Sequence, residues 1–231
     1  MTTTLITGAN KGLGFETARR LIEAGHTVYV AARDAHRGRA AAERLGARFV
    51  QLDVTDEDSV KAAAEFVRAD AGRLDVLVNN AGIVGARKPV GEVTGADMLT
   101  TYDTNVFGVV RVTHAFLPLL EASDAPVVVN VSSGLGSLAA CADPSRVEFQ
   151  VTVLDYNSSK TALVMVTSQY AKAFPTVRFN AVDPGYTATD LNGHQGTQTI
   201  EDGAEIIVRM ASIGADGPTG GFFDKTGPVV W

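Results

Sequence analysis

Short apolar runs alternating with longer amphipathic ones leave this chain few ways to fold. Runs rich in β-branched residues fall at Thr3–Thr7, Thr27–Ala32, Arg48–Leu52, Val76–Asn79, Val127–Ser132 and Arg178–Val182, with a seventh at Gly221–Phe223. Their near-continuous apolar character is that of strands covered on both faces. Between them, apolar positions recur at helical spacing, predicting helices near 12–24, 36–44, 57–70, 95–122, 155–173 and 201–212. Such an order gives parallel neighbours joined by right-handed crossovers. The expected fold is α/β: a Rossmann-type, doubly wound, seven-stranded and mainly parallel sheet with helices on both faces. No linker, repeat or low-complexity tract divides the chain, so residues 1–231 read as a single domain. Its ligand crevice belongs at the carboxyl ends of the strands.

Composition narrows the ligand. A net charge of −6 argues against a nucleic-acid partner, which needs a basic face. The lone Cys141 excludes an internal disulfide, and no Cys/His spacing suggests a metal, so none is expected. The chain begins directly with a strand, and no apolar run approaches the ~20 residues that span a bilayer. A cytoplasmic setting away from membranes is expected, with a small molecule as ligand.

The first strand ends in Thr7-Gly8-Ala9-Asn10-Lys11-Gly12-Leu13-Gly14, and a helix pattern begins at once. Glycines let the backbone approach a pyrophosphate, and the helix start offers unpaired N–H groups and the positive end of its dipole. The spacing is Gly-x-x-x-Gly-x-Gly rather than the commoner Gly-x-Gly-x-x-Gly. At the end of the second strand an acid would accept from a ribose 2′-hydroxyl, whereas an arginine accommodates a 2′-phosphate. Here the strand closes on Ala32, and Arg33 comes next, with Lys11 as a second cation. NADPH or NADP is therefore expected over NAD. The alternative leaves Arg33 and Lys11 as solvated charges and gives Asp34 to NAD.

Tyr156 and Lys160 stand one helical turn apart and share a helix face. A free phenol titrates near ~10. A neighbouring cation is expected to bring it towards neutrality, where it can act as acid or base. Ser132 and Ser133, adjacent at a strand end, both qualify as its partner. Asn105 lies in the long apolar helix, which also carries Phe107, Phe116 and Leu117 at core-facing positions.

Together these residues resemble the short-chain dehydrogenase/reductase family in its classical branch, over essentially the whole chain. The turn Gly8 to Gly14 is similar to the family's cofactor motif, and Asp53-Val54 to its adenine-contacting pair. Asn79-Asn80-Ala81-Gly82 matches the turn steadying the central strands, where the resemblance places Asn80 near the adenosine ribose. Asn105, Ser133, Tyr156 and Lys160 fall where the family has its catalytic tetrad. Pro184, Gly185 and Thr187 match the segment that orients the nicotinamide. A closer resemblance, to the NADPH-dependent carbonyl reductases, rests on Thr7–Gly14, Ala32–Gly38 and the tail Glu201–Trp231. One departure is the stretch between serine and tyrosine, Gly134 to Asp155, which is longer than the family's usual dozen.

The resemblance implies reduction of a ketone or aldehyde by NADPH, with Tyr156 as general acid. Ser133 would hold the substrate oxygen and Lys160 the nicotinamide ribose, with Asn105 supporting a water chain. NADP-dependent oxidation of a secondary alcohol uses the same residues in reverse. A non-catalytic NADP-sensing protein is the reading from another class, though a sensor has no need of the tetrad. Substrate choice is expected in the loops Ile83–Val93, Leu135–Leu154 and Tyr186–Thr199, the last carrying His194. A monomer is favoured over a homo-oligomer, because the long stretch before Tyr156 lies where many relatives pair.

Overall fold

The computed structural model describes residues 2–231. Its sheet has the order β3-β2-β1-β4-β5-β6-β7-β8. The strands are β1 (Thr3–Thr7), β2 (Thr27–Ala32), β3 (Arg48–Gln51), β4 (Val76–Asn79), β5 (Val127–Val131), β6 (Arg178–Val182), β7 (Phe222–Asp224) and β8 (Gly227–Pro228). All neighbours are parallel except β7 and β8, a short antiparallel hairpin that the sequence pattern does not announce. The rest is the expected Rossmann-type sheet.

Helices α1 (Gly12–Glu23), α2 (Ala35–Leu45), α3 (Glu57–Ala71), α4 (Gly95–Tyr102), α5 (Gly108–Glu121), α6 (Leu138–Ala142), α7 (Leu154–Ala173) and α8 (Ile200–Ala211) cover it. Successive strand residues point to opposite faces, and the core divides accordingly. Leu5, Tyr29 and Leu77 join Phe116, Val128 and Phe179 on one side. Ile6, Val30 and Val78 join Leu21, Val129 and Ile207 on the other. Helices α3, α5 and α7 bury residues against the first surface, and α1, α2 and α8 against the second. Among the described residues, no helix is long and apolar enough to cross a membrane.

The single helix expected over 95–122 is instead interrupted by a wider, π-type stretch at Asp103–Phe107. A residue inserted into a helical turn rotates the rest of the helix out of phase, and such bulges concentrate at functional sites. This explains one failed expectation. Phe116 is fully buried, but Phe107 is 43% exposed rather than core-facing. The same stretch carries Asn105 inward, where it is buried.

Strand order reverses direction at β1. Its neighbours are β2, with Thr7 opposite Ala31, and β4, with Ile6 opposite Val78. That topology opens a crevice at the carboxyl ends of β1 and β4.

Candidate active site

A crevice of about 680 Å³ opens at this switch point. Gly8 and Gly12 take positive φ, +64° and +57°, conformations that favour glycine. A Cβ on Gly14 would run into Asn80 and into the backbone of Ala9, so α1 leaves the turn with no room to spare. Asn80 holds the turn from the far side: its Nδ2 donates to the Thr7 carbonyl at 2.8 Å and to that of Gly8 at 3.3 Å. Thr7 Oγ1 accepts from the Asn80 and Ala81 amides, at 3.0 Å each. The Asn80 side-chain amide, expected at a ribose, thus braces the glycine turn. Helix α1 starts with no side-chain cap, leaving its first N–H groups directed at the crevice.

Asn10, Lys11, Leu13, Arg33, Asp53, Val54 and Gly82 line the same crevice. Asp34 caps α2, accepting from the Arg37 amide at 3.0 Å, so its carboxylate is committed locally. Asp53 is held by Thr55, whose amide and hydroxyl donate at 3.0 and 2.7 Å. Lys11, expected to join Arg33 at a phosphate, is ion-paired with Asp190 at 2.6 Å. His194 meets the same carboxylate at 2.8 Å. No sequence signal announced this contact, which joins residues 179 positions apart.

Helix α7 presents the second group of residues, and β5 fixes its position. Lys160 Nζ donates to the Val131 carbonyl at 2.8 Å, and Thr167 accepts from Asn130 at 2.8 Å. Ser132 Oγ donates to the Lys160 carbonyl at 3.1 Å. Its hydroxyl is thereby spent on helix backbone, while the Ser133 hydroxyl accepts from the Leu135 amide at 3.2 Å and lies close enough to Tyr156 to favour the phenolate. Lys160 Nζ lies 5.6 Å from the centre of the Tyr156 ring.

Electrostatics here differ from the simple expectation. Burial pushes the Tyr156 phenol up to about 12; the Ser133 hydroxyl opposes this, and the Asp183 carboxylate adds to it. Lys160 does not pull the phenol down. Burial instead lowers the lysine itself to about 8. Both neutral forms are favoured because desolvation penalises the charged ones.

Asn105 Nδ2 donates to the Ile83 carbonyl at 2.9 Å and to Ser159 Oγ at 3.0 Å, and its Oδ1 accepts from the Ile83 amide at 2.9 Å. The side chain expected to support a water chain is committed to tethering the loop after β4. Pro184 lines the crevice, with Gly185 (φ +73°) next to it. Thr187 is buried and donates to the Pro184 carbonyl at 3.1 Å.

Comparison with known proteins supplies the context for this geometry. A family model described as short chain dehydrogenase matches residues 2–199. The chain is 31% identical to a (+)-neomenthol dehydrogenase from Capsicum annuum, covering 95% of this chain and 94% of that one. That alignment runs over 296 positions, more than the 231 residues here, so the relative carries additional residues within the matched span. A salutaridine reductase from Papaver bracteatum is 32% identical, with 95% and 93% covered. The solved structure of an NADPH-bound carbonyl reductase from chicken fatty liver superposes with a TM-score of 0.88 at 26% identity, covering 100% of this chain and 99% of that one.

Proposed function

Because this chain belongs to the short-chain dehydrogenase family, and is thus an oxidoreductase acting on CH–OH and C=O groups, we propose that it reduces ketones or aldehydes with NADPH. The observation carrying this reading is the meeting of Tyr156 and Lys160 at the glycine-turn crevice, with Ser133 beside the Tyr156 hydroxyl. The names of the relatives, reductases and dehydrogenases of ketone and alcohol pairs, agree with it.

The residues fit the cofactor. The turn Gly8–Gly14 and the uncapped start of α1 would hold its pyrophosphate, and a Cβ at Gly14 would fill the space that such a turn needs. Asp53 and Val54 would flank the adenine, Asn80, Ala81 and Gly82 the adjoining ribose wall, and Pro184, Gly185 and Thr187 the nicotinamide end. When bound, the cofactor supplies the hydride. Ser133 donates a hydrogen bond to the substrate oxygen and holds it beside Tyr156. Tyr156 gives its hydroxyl proton to that oxygen as negative charge develops. Lys160, fixed on the Val131 carbonyl, sets the face of the crevice at the nicotinamide ribose. Asn105 is a positioning residue, acting through Ile83 and Ser159.

If Ser133 is the substrate's partner, Ser133→Ala should lower kcat about a hundredfold. Ser132→Ala should chiefly reduce stability, by about 1 kcal/mol, through the lost bond to α7. Steady-state rates and urea midpoints for the two variants separate these outcomes, and equal losses of kcat would refute the choice.

Preference for NADPH rests on Arg33 at the crevice rim and on Asp34 being committed to capping. Arg33→Ala should raise KM for NADPH about tenfold and leave NADH nearly unaffected, since one charge-assisted phosphate contact disappears. An unchanged ratio of the two constants contradicts the assignment. The reading as a whole is tested by mixing the protein with NADPH and a panel of activated ketones while monitoring nicotinamide absorbance. NADPH that binds but is consumed with none of the ketones would point to a cofactor-binding protein instead.

A cytoplasmic monomer remains our reading. Its support is the lone cysteine and the extra length before α7. Exposed Leu99, Phe107, Val110 and Met165 on the helices around Asn105 and Tyr156 favour a homo-oligomer as the second reading. Light scattering decides between them.

A further inference from the structure

One buried carboxylate beside the catalytic tyrosine has no part in hydride or proton transfer. Asp155, in the first turn of α7, is 1% exposed. Its Oδ2 accepts from the Ala86 amide at 2.8 Å and from Thr101 Oγ1, on α4, at 2.7 Å. Burying a carboxylate is costly unless donors hold it, and both donors here come from elements that border the crevice. Space confirms the commitment. Gly85 adopts φ +85°, and a Cβ there would overlap the Asp155 carboxylate and the Thr101 hydroxyl.

Val84, Gly85, Ala86 and Thr101 all line the crevice. The short segment 83–86 is therefore pinned at both ends. Asn105 holds Ile83 by its N–H and C=O and passes the link through Ser159 to the Tyr156 carbonyl, which accepts from Ser159 Oγ at 2.7 Å. Asp155 holds Ala86. Thr101 and Asn105 sit about one turn apart along the same helix, and Asp155 and Ser159 do so on α7. Two parallel ties thus cross from the α4 region to α7 on either side of Tyr156.

We propose that Asp155 is a positioning residue, pinning the Val84–Ala86 wall against α7 so that a carbonyl substrate meets Tyr156 in one orientation. The proposal rests on the carbonyl-reductase reading for its catalytic consequence, but the pinning itself does not. A wall free to move by an ångström loosens the near-attack geometry on which turnover depends, and it lets the substrate present either face.

The test compares the parent protein with Asp155→Ala and Asp155→Asn, using NADPH and one prochiral ketone. Turnover is expressed per NADPH-binding site, so loss of folded protein does not register. Asp155→Ala is expected to lower kcat about tenfold or more, to move the ratio of alcohol enantiomers towards equality, and to leave NADPH affinity within about twofold. Asp155→Asn keeps an oxygen acceptor for both donors and should restore most of kcat and of the enantiomer ratio. Full kcat with an unchanged enantiomer ratio in Asp155→Ala overturns the proposal. Should that variant not fold, Thr101→Val removes one of the two bonds and is expected to shift both readouts in the same direction by less. Hydrogen exchange at the Ala86 amide reads the clamp without turnover, and should quicken about tenfold or more in Asp155→Ala and by less in Thr101→Val. Unchanged exchange sinks the clamp even where activity falls. A parent that reduces no ketone, with Ala86 exchange responding as expected, refutes the enzymatic reading and leaves the pinned wall in place.

Discussion

Tyr156→Phe is expected to lower ketone turnover about a thousandfold, within the range set by loss of a positioned general acid, while NADPH still binds. Phenylalanine keeps the ring and removes only the hydroxyl that would carry the proton. The pH dependence is set by the same surroundings. With the phenol pushed up to about 12, the acid form needed for reduction is present throughout the neutral range. Reduction should hold level up to a pH of about 8, where buried Lys160 gives up its proton, and decline above it. Alcohol oxidation needs the phenolate, and so should climb with pH across the same interval. Stopped-flow rates in both directions from pH 6 to 10 are the check. A Tyr156→Phe protein retaining parental kcat would remove the tyrosine from the mechanism.

Lys160→Met should separate activity from stability. Its folded pKa, about 8, lies below the 10.5 of an ordinary lysine. Between these values the unfolded chain binds more protons than the folded one, so stability rises with pH across that window. Below pH 8 both states are protonated, and the cost of the buried cation is fully present. The shift of about 2.5 corresponds to a cost on the order of 3 kcal/mol. Methionine removes that cost and forfeits the bond to Val131, for a net gain of about 1–2 kcal/mol at pH 7. The gain should shrink as pH rises above 8 and turn into a loss of about 1 kcal/mol above 10.5, where the parent lysine is neutral in either state and only the lost Val131 bond counts. Turnover should fall about a hundredfold at the same time. Urea midpoints at pH 7 and 10 test the sign, and a variant less stable than the parent at pH 7 contradicts it.

The sheet was legible because each strand is a compact apolar run and each helix a periodic one; these binary patterns need no tertiary information. The glycine turn and the Tyr156–Lys160 spacing were legible for a related reason, being local devices whose residues lie within a few positions. What escaped depends on phase or distance. A π-type bulge at Asp103–Phe107 leaves no mark in composition, yet it alone turns Phe107 out to solvent and Asn105 in. The two-residue strand β8 is too short to show alternation. Nothing in the sequence marks Asp155, because its partners Ala86 and Thr101 lie 69 and 54 residues away. Lys11 lines the crevice, but its pairing with Asp190 joins opposite ends of the chain. The bond from Ser132 to the Lys160 carbonyl is equally hidden, because only the approach of α7 to β5 creates it.

Isotope transfer tests the central claim most directly. The protein is incubated with NADPH carrying deuterium at the transferable position of the nicotinamide and with a ketone from the active panel, and the alcohol is examined by mass spectrometry. The account predicts one deuterium on the carbinol carbon, from one face of the nicotinamide only, and no labelled alcohol from the Tyr156→Phe protein within the same time. Alcohol formed without label, or no alcohol from any ketone while NADPH binds tightly, would contradict it.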